Sequence, residues 1–311
     1  MHLESLEILS LKDDPESFSA RIGDSFRNFG FAMVCDHGID SALLERGWEL
    51  TRAFFDLPER EKLGYHMGGL AGARGYTPFG REIAKGAIAH DLKEFWHIGR
   101  DLPAGHPLSD AMPPNTWPRV PQGFQQAFSA LFAEYDRVGS IILSRIAAHL
   151  SLPPDWFNPA IADGNSVLRL LHYPPVDDTA DDAIRAGAHE DINLITLLLG
   201  AEEAGLELLT REGRWLDVSP PQGALVVNIG DMLQRLTNRV LPSTTHRVRN
   251  PKGERARFSR YSMPFFLHLR SDFPIRTLPQ CISPDNPDRY PETITADDYL
   301  QQRLKEIGLK N

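Results

Sequence analysis

The second half of the chain contains seven short apolar runs that are separated by glycine, proline, asparagine and aspartate. The runs cover residues 166–173, 192–199, 206–210, 214–218, 224–229, 244–248 and 258–267. Runs of this length that are rich in leucine, isoleucine, valine and phenylalanine are typical of strands, and many short strands in succession form a sandwich or a barrel. The pattern therefore predicts an all-β region that begins near residue 165.

The first half of the chain is predicted to be mainly helical. The sequence predicts helices over 15–29, 40–55, 58–64 and 122–150, with a short strand over 31–35. In the longest of these helices apolar residues recur at steps of three and four, which gives a helix one apolar face. Gly30 is placed to end the first helix, and Pro153 and Pro154 are placed to stop the last. We therefore expect a helical layer packed on the β region.

No linker-like change in composition separates the two halves of the chain. Domain boundaries usually fall in exposed segments rich in proline, glycine or polar residues, so we expect one integrated α+β domain over residues 1–311. Within it, residues 1–164 would form the mainly helical region, residues 165–275 the β core and residues 276–311 a tail.

The charge and composition of the chain exclude several classes of partner. The formal net charge is −9, and the basic residues are interspersed with acidic ones. They do not form the footprint that binds a phosphate backbone, so nucleic acid is not expected. No apolar run approaches the roughly 20 residues that span a bilayer, and the first residues lack a secretion signal. We therefore expect a cytoplasmic protein without membrane contact, a monomer or weak homo-oligomer that acts on a small molecule.

The cysteine content excludes another class of site. Cys35 and Cys281 are the two cysteines of the chain and lie far apart in the sequence. Two cysteines are too few for a disulfide framework or for a cysteine-based zinc or iron–sulfur site. The pattern favours two buried free thiols over a single bridge.

A His-x-Asp pair lies between the first two predicted strands. In an extended chain residues i and i+2 point to the same side, so His189 and Asp191 would aim at one point while Glu190 faces away. One imidazole and one carboxylate are two of the three ligands of the facial triad that holds non-haem ferrous iron. The pair alone is a weak signal, because the segment His2-Leu3-Glu4 has the same form.

Two further features strengthen the hypothesis. His246 lies in its own β-like run two to three strands later, where a sheet can fold back and supply a third ligand. Arg260 and Ser262 follow on one face of the last predicted strand. A guanidinium beside a hydroxyl matches a carboxylate, since bidentate charge-assisted hydrogen bonds combine strength with geometry. The alternative for Arg260 is an outward side chain on an edge strand.

The order of a larger set of motifs resembles the isopenicillin N synthase-like branch of the iron/2-oxoglutarate oxygenases, over nearly the whole chain. The segments that resemble that family are residues 28–31, 36–39, 54–58 with Glu61 and Lys62, 74–76, 93–95, 98–101, 173–175, 228–231, 246–248 and the Arg260-x-Ser262 pair. The resemblance implies a double-stranded β-helix, or jelly-roll, core with iron in its mouth.

The resemblance also implies roles for individual residues. Fe(II) would be held by the triad, and 2-oxoglutarate, with O2, would be the co-substrate. Arg260 and Ser262 would bind the distal carboxylate of 2-oxoglutarate, with a contribution from Tyr173. Leu171 stands where the family frequently has asparagine, so the remaining contacts are not predicted. Arg169 would either face the cavity and meet an acidic substrate or point outward.

The implied function is an Fe(II)- and 2-oxoglutarate-dependent oxygenase that hydroxylates, desaturates or cyclises a small molecule. Two alternatives stay open: an oxidase on the same scaffold that does not use 2-oxoglutarate, and a cupin-like metal-binding protein without oxidative activity. The pocket walls would come from residues 70–101, from residues 177–186 and from the tail. Residues 289–306, with Tyr290, Tyr299 and Leu300, would form a helix that either closes the mouth or packs outside it.

Overall fold

The computed structural model of the protein describes residues 6–68, 72–80, 93–175, 185–199, 205–250 and 253–306. Its helices are α1 (Pro15–Phe29), α2 (Ser41–Phe55), α3 (Glu59–Leu63), α4 (Phe124–His149), α5 (Asn158–Ile161), α6 (Asp231–Leu236) and α7 (Ala296–Glu306), with short 3-10 turns at Gly253–Arg257 and Pro279–Cys281. Residues 81–92 and 176–184, which hold much of the predicted pocket wall, lie outside the described residues.

The strands form two sheets that enclose a common interior and a small third sheet near the end of the chain. In chain order they are β1 (Ile8–Ser10), β2 (Phe31–Cys35), β3 (Gly75–Thr77), β4 (Glu94–Gly99), β5 (Val167–Tyr173), β6 (Ala186–His189), β7 (Ile195–Leu199), β8 (Leu206–Leu209), β9 (Trp215–Asp217), β10 (Leu225–Ile229), β11 (His246–Val248), β12 (Arg260–Leu267), β13 (Pro274–Ile275) and β14 (Ile294–Thr295). The main sheet has the order β1-β2-β10-β7-β12-β5-β4-β3, and the smaller facing sheet has the order β6-β11-β8-β9.

The helix boundaries follow from local chemistry. Asp14 caps α1 by accepting a hydrogen bond from the Ser17 amide at 3.0 Å, and Pro15 fits the first turn because no amide hydrogen is needed there. The helix ends at Gly30, which has a left-handed φ of 68° that glycine adopts without strain. The predicted helix over residues 15–29 is therefore confirmed.

The two faces of the main sheet have different partners. On β12, Phe265 points outward and stacks on Tyr135 of α4, with ring centroids 5.5 Å apart. Because side chains alternate along a strand, Arg260 and Ser262 point to the opposite face, toward the smaller sheet. An apolar cluster shared by both sheets fills much of this interior, and it includes Phe31, Met33, Leu171, Leu208 and Val226.

The first half of the chain supplies more strands than the sequence predicted. β1, β3 and β4 join the main sheet together with β2, so four strands of the main sheet precede α4. β4 is buried on both faces and includes two polar residues, Glu94 and His97. A strand with buried polar residues shows neither an apolar run nor a clean alternation, which is why hydrophobic periodicity did not detect it.

Several smaller features complete the fold. Cys35 and Cys281 are free thiols, as the sequence predicted, but of the two only Cys281 is buried and Cys35 is half-buried. The tail helix α7 contacts α6, where Arg303 forms an ion pair with Asp231 at 3.0 Å. The backbone amide of Asp231 in turn donates to the Asp191 carbonyl at 2.7 Å, so the tail lies next to the segment of the His-x-Asp pair. In the described part of the chain, no helix combines the length and apolar character that a membrane crossing requires.

Candidate metal centre and co-substrate pocket

The three predicted ligands converge at the open end of the interior. β6 ends at His189, and Asp191 follows in the bend that leads to β7. β11 begins at His246, which lies directly opposite His189 in the antiparallel pairing of the two strands. One carboxylate oxygen of Asp191 is 3.9 Å from Nε2 of His189, and the other is 3.9 Å from Nε2 of His246. One ligand atom from each residue lies within 4.8 Å of the other two.

The carboxylate of Asp191 is held by hydrogen bonds from two neighbouring strands. Its Oδ2 accepts a hydrogen bond from Thr196 Oγ1 at 2.5 Å and another from Asn228 Nδ2 at 2.8 Å. Burial alone would raise the pKa of Asp191, but the two imidazoles and these two donors outweigh burial and lower the pKa. Asp191 therefore stays ionised and aimed at the space between the histidines.

Backbone carbonyls fix the orientation of both imidazoles. Nδ1 of His189 lies 2.7 Å from the Gly187 carbonyl, and Nδ1 of His246 lies 3.1 Å from the Thr244 carbonyl. A carbonyl can only accept, so each Nδ1 carries the proton and each Nε2 lone pair faces the common space. This is the arrangement in which a neutral imidazole binds a metal.

The two imidazoles differ in exposure. The His246 side chain is 9% exposed, and the Phe31 ring packs edge-on against it with centroids 5.4 Å apart. The His189 side chain keeps 42% of its surface accessible. Burial and the nearby His246 lower the pKa of His189 to about 4, so its ring is neutral near pH 7. The donor set of two imidazoles and a carboxylate fits ferrous iron, which prefers this mixture of ligands.

The residues predicted to bind 2-oxoglutarate lie together on the interior face of the main sheet. Arg260 on β12 is paired in register with Tyr173 on β5, and Ser262 is paired with Leu171. The guanidinium carbon of Arg260 lies 5.2 Å from the centre of the Tyr173 ring. Arg260 and Ser262 are each 3% exposed, so the outward alternative for Arg260 is wrong. A cation and a hydroxyl inside an apolar barrel suit an anionic ligand.

Comparison with known proteins identifies the family of the chain. Residues 3–120 match the model of the N-terminal region of non-haem dioxygenases of the morphine-synthesis type, and residues 164–269 match the 2OG-Fe(II) oxygenase superfamily. A 2-oxoglutarate-Fe(II) type oxidoreductase of Emericella nidulans is 32% identical over 92% of this chain and 83% of its own length. A proline hydroxylase of Petromyces alliaceus is 33% identical, with 93% of each chain covered.

The chain belongs to the 2OG-Fe(II) oxygenase superfamily.

Solved structures of the same superfamily share the fold. A 2OG-Fe(II) oxygenase family protein of Caulobacter crescentus is 52% identical and superimposes with a TM-score of 0.91, covering 98% of this chain and 99% of that one. A full-length Neurospora crassa protein in complex with alpha-KG is 28% identical with a TM-score of 0.86, covering 96% and 95% of the two chains. The predicted α+β fold with a jelly-roll core is confirmed, as is the predicted family.

Arg169 faces the interior of the oxygenase and does not point outward. It shares the interior face of β5 with Tyr173, and its guanidinium lies over the rings of Phe95 at 4.5 Å and Phe266 at 5.2 Å. Its Nε donates to Nε2 of His97 at 2.5 Å. The barrel wall of this oxygenase therefore carries a cationic and aromatic patch, beside the apolar cluster.

Sequence reasoning missed some residues that support the candidate site. Thr196 and Asn228 hold the Asp191 carboxylate, yet neither was assigned a role. Asn228 lies in one of the segments that resemble the family, which was the available signal. Thr196 gave no signal, because a threonine inside an apolar strand is equally compatible with sheet packing.

Proposed function

We propose that His189, Asp191 and His246 bind the ferrous ion of this 2-oxoglutarate-dependent oxygenase, and that Arg260, Ser262 and Tyr173 bind its co-substrate. The main support is the convergence of two imidazoles and one carboxylate in the same barrel interior that buries Arg260. The family membership supplies the reaction class, in which oxidation of a small molecule is coupled to oxidative decarboxylation of 2-oxoglutarate.

The protein's part in this reaction is to bind and to orient. Bound iron supplies O2 activation that is coupled to conversion of 2-oxoglutarate to succinate and CO2. The hydrogen bonds from Thr196 and Asn228 keep the Asp191 carboxylate turned toward the metal. The forked guanidinium of Arg260 and the hydroxyl of Ser262 fix the distal carboxylate, which sets the position of the rest of the co-substrate. The apolar lining excludes water and strengthens these electrostatic contacts.

The primary substrate is a small molecule whose oxidation is a hydroxylation, a desaturation or a cyclisation. The relatives are associated with different small molecules. One is a proline hydroxylase, and the Neurospora crassa protein has been crystallised with thymine. We propose that Arg169 helps to bind an acidic or strongly polar group of the substrate. The support is its position on the interior face between Phe95 and Phe266.

We also propose a cytoplasmic protein that acts as a monomer or weak homo-oligomer, without a nucleic-acid partner. We treat residues 1–311 as one integrated domain. The support for the single domain is that β1 to β4 share one sheet with the strands of the second half. The support for the absence of nucleic acid is the net charge of −9. Size-exclusion chromatography tests the oligomeric state.

The decisive experiment measures succinate and O2 together. The protein is incubated with Fe(II), ascorbate, O2 and 2-oxoglutarate, with and without candidate small molecules, and succinate is quantified by mass spectrometry. We expect succinate in amounts that match the O2 consumed, with a rate increase when the substrate is present. Consumption of O2 without succinate would indicate the oxidase alternative. Absence of O2 uptake under every condition would favour a cupin-like protein.

The variant Arg260→Ala tests whether Arg260 binds the co-substrate. We expect it to keep its iron and to require a much higher 2-oxoglutarate concentration for the same succinate yield. The expected loss is about 10-fold to 100-fold in 2-oxoglutarate affinity, since hydrogen bonds to a charged group contribute about 1.5–3 kcal/mol. An unchanged affinity and an unchanged yield would overturn the assignment of Arg260.

A further inference from the structure

A buried charged cluster lies directly behind the Tyr173–Arg260 pair. Glu94 is completely buried, and its carboxylate accepts hydrogen bonds from Lys62 Nζ at 2.8 and 2.9 Å. It also accepts hydrogen bonds from the Tyr76 hydroxyl at 2.5 Å and from His172 Nδ1 at 2.7 Å. Four elements, α3, β3, β4 and β5, therefore meet at one carboxylate.

This cluster lies on the helix-facing side of the main sheet. His172 is paired in register with Tyr261, one position from the Tyr173–Arg260 pair, so alternation places the two pairs on opposite faces. The His172 ring is stacked on Tyr261, with centroids 4.9 Å apart, and lies 5.5 Å from the Phe55 ring of α2. The cluster and the proposed co-substrate site are thus separated only by the backbone of β5 and β12.

The hydrogen-bonding capacity of Glu94 sets the orientation of His172. Burial alone would raise the pKa of Glu94, but the hydrogen bonds from His172, Lys62 and Tyr76 outweigh burial and lower the pKa. The carboxylate is therefore ionised and accepts only, so Nδ1 of His172 carries a proton. The other nitrogen, Nε2, lies 2.9 Å from Ser259 Oγ. In the neutral ring, Nε2 accepts the hydrogen bond of the Ser259 hydroxyl.

Stability alone does not account for such a cluster. A buried ion pair is frequently no more stabilising than apolar residues of the same volume, because both charges must leave water. Three of the segments that resemble the family contribute to it, through Lys62, Tyr76 and Glu94. Buried polar networks that are fully satisfied fix a unique geometry, which points to a positioning role.

Ser259 connects the cluster around Glu94 to the proposed co-substrate site. It comes directly before Arg260, the first residue of β12. The Phe258 side chain just before it is 62% exposed, and the Phe258 carbonyl accepts a hydrogen bond from the buried Arg185 at 3.0 Å. A hydrogen bond from Ser259 to His172 therefore ties the beginning of β12 to the rigid cluster behind the sheet.

We propose that Glu94, His172 and Ser259 form a hydrogen-bonded chain that positions Arg260 to bind the distal carboxylate of 2-oxoglutarate. These three are positioning residues, because they lie on the face of the main sheet opposite Arg260 and Tyr173. The proposal rests on the proposed function, in which Arg260 binds that carboxylate. It predicts that breaking the chain weakens recognition of the distal carboxylate and leaves the metal end of the site unchanged.

The test compares two ligands that differ only at the distal end. Dissociation constants of 2-oxoglutarate and of 2-oxopentanoate, which lacks the distal carboxylate, are measured anaerobically by calorimetry on the metal-loaded protein. The dissociation constant of 2-oxopentanoate divided by that of 2-oxoglutarate reports recognition of the distal carboxylate. Measuring this ratio needs no turnover. For Ser259→Ala and His172→Phe we expect the ratio to fall about 5-fold to 10-fold, the effect of one lost hydrogen bond.

Two controls make the outcome unambiguous. Ser259→Thr keeps the hydroxyl and should keep the wild-type ratio, and metal content and thermal stability are measured for every variant. Ser259→Ala removes one oxygen from a half-buried side chain, so it is expected to fold. A wild-type ratio in both Ser259→Ala and His172→Phe would overturn the proposal. An equal loss of affinity for both ligands would also overturn it, because that result indicates a general loss of pocket structure.

The proposed function is tested separately by Arg260→Met in the same assay. If Arg260→Met loses the preference for 2-oxoglutarate while Ser259→Ala and His172→Phe keep it, Arg260 binds the carboxylate but is not positioned by the chain. If Arg260→Met keeps the preference, the assignment of Arg260 fails, and the positioning proposal fails with it.

Discussion

His189 and His246 face each other across β6 and β11, with ring centroids 4.4 Å apart, although they are far apart in the sequence. The antiparallel register of these two strands brings the rings together. The bend after β6 then directs Asp191 between them, at 3.9 Å from each imidazole. The proposed metal centre is therefore a product of strand pairing, and its carboxylate depends on the residues that hold the bend.

The first prediction concerns the hydrogen bonds to Asp191. Asn228→Ala removes the donor at 2.8 Å, and Thr196→Val removes the donor at 2.5 Å with little change in shape. We expect each variant to bind Fe(II) about 10-fold to 100-fold more weakly, the usual effect of losing a residue that orients a metal ligand. Anaerobic metal titration measures it. Asn115→Ala, which alters contacts at Gly99 and Asp101, is the control and should bind as the wild type does.

The second prediction concerns the close contact between α6 and the bend. A Cβ at Gly230 would lie 2.2 Å from Asn193 Oδ1 and 2.3 Å from its backbone carbonyl oxygen. Backbone cannot move aside cheaply, so Gly230→Ala should lower both the thermal stability and the Fe(II) affinity. Gly68→Ala is the control, since no atom of the described residues lies within 4 Å of the added group there. Wild-type metal affinity in Gly230→Ala would show that the bend tolerates displacement.

The third prediction concerns the buried ion pair. Lys62→Met leaves the Glu94 carboxylate buried without its cation and should destabilise the protein by about 3–5 kcal/mol. Urea unfolding of the wild type and of Lys62→Met measures the difference in their free energies of unfolding. Lys12→Met is the matched control, because Lys12 pairs with Asp36 on the surface with its side chain 79% exposed. The control should unfold within error of the wild type, since exposed pairs contribute little. Equal effects of the two substitutions would contradict the structure of the cluster.

The fourth prediction concerns pH. The pKa of Glu94 is lowered from its ordinary value of 4.5 because His172, Lys62 and Tyr76 outweigh burial. When the pKa of a carboxyl group is lower in the folded protein than in the unfolded chain, the ionised group stabilises the fold at any pH above its pKa in the unfolded chain. This stability is lost as the pH falls through the pKa of the group in the folded protein. The difference in unfolding free energy between wild type and Glu94→Gln should therefore hold from pH 7 to near 5 and shrink below 4.5. A difference that grows on acidification would contradict this sign.

The sequence was sufficient to predict the three residues that converge here but only part of their geometry. The i, i+2 spacing of His189 and Asp191 suggested one extended strand, and His246 suggested a partner strand. In the structure β6 ends at His189, so Asp191 lies in a bend whose shape depends on a hydrogen bond from the distant Asp231 amide. Such a contact forms only when the chain folds back, and local pattern does not contain it.

The cluster around Glu94 was beyond prediction for a related reason. Lys62, Tyr76, Glu94 and His172 come from separate segments, and each is a polar residue that by itself suggests exposure. They lie inside the fold because Lys62, Tyr76 and His172 all hydrogen-bond to the Glu94 carboxylate. By contrast, the amphipathic helix α4 and the strand β12 were predicted within two residues at each end, because their patterns are set by one dominant apolar face.

The most direct test is an anaerobic titration of the protein with Fe(II), in which calorimetry measures the binding. We expect one ion bound per wild-type chain and no measurable binding by Asp191→Ala or His246→Ala. The control His106→Ala should bind as the wild type does, because His106 lies 3.6 Å from the Asp163 carboxylate and is not one of the three converging residues. Failure of the wild-type protein to bind Fe(II), or binding by Asp191→Ala with wild-type affinity, would contradict the proposed metal centre.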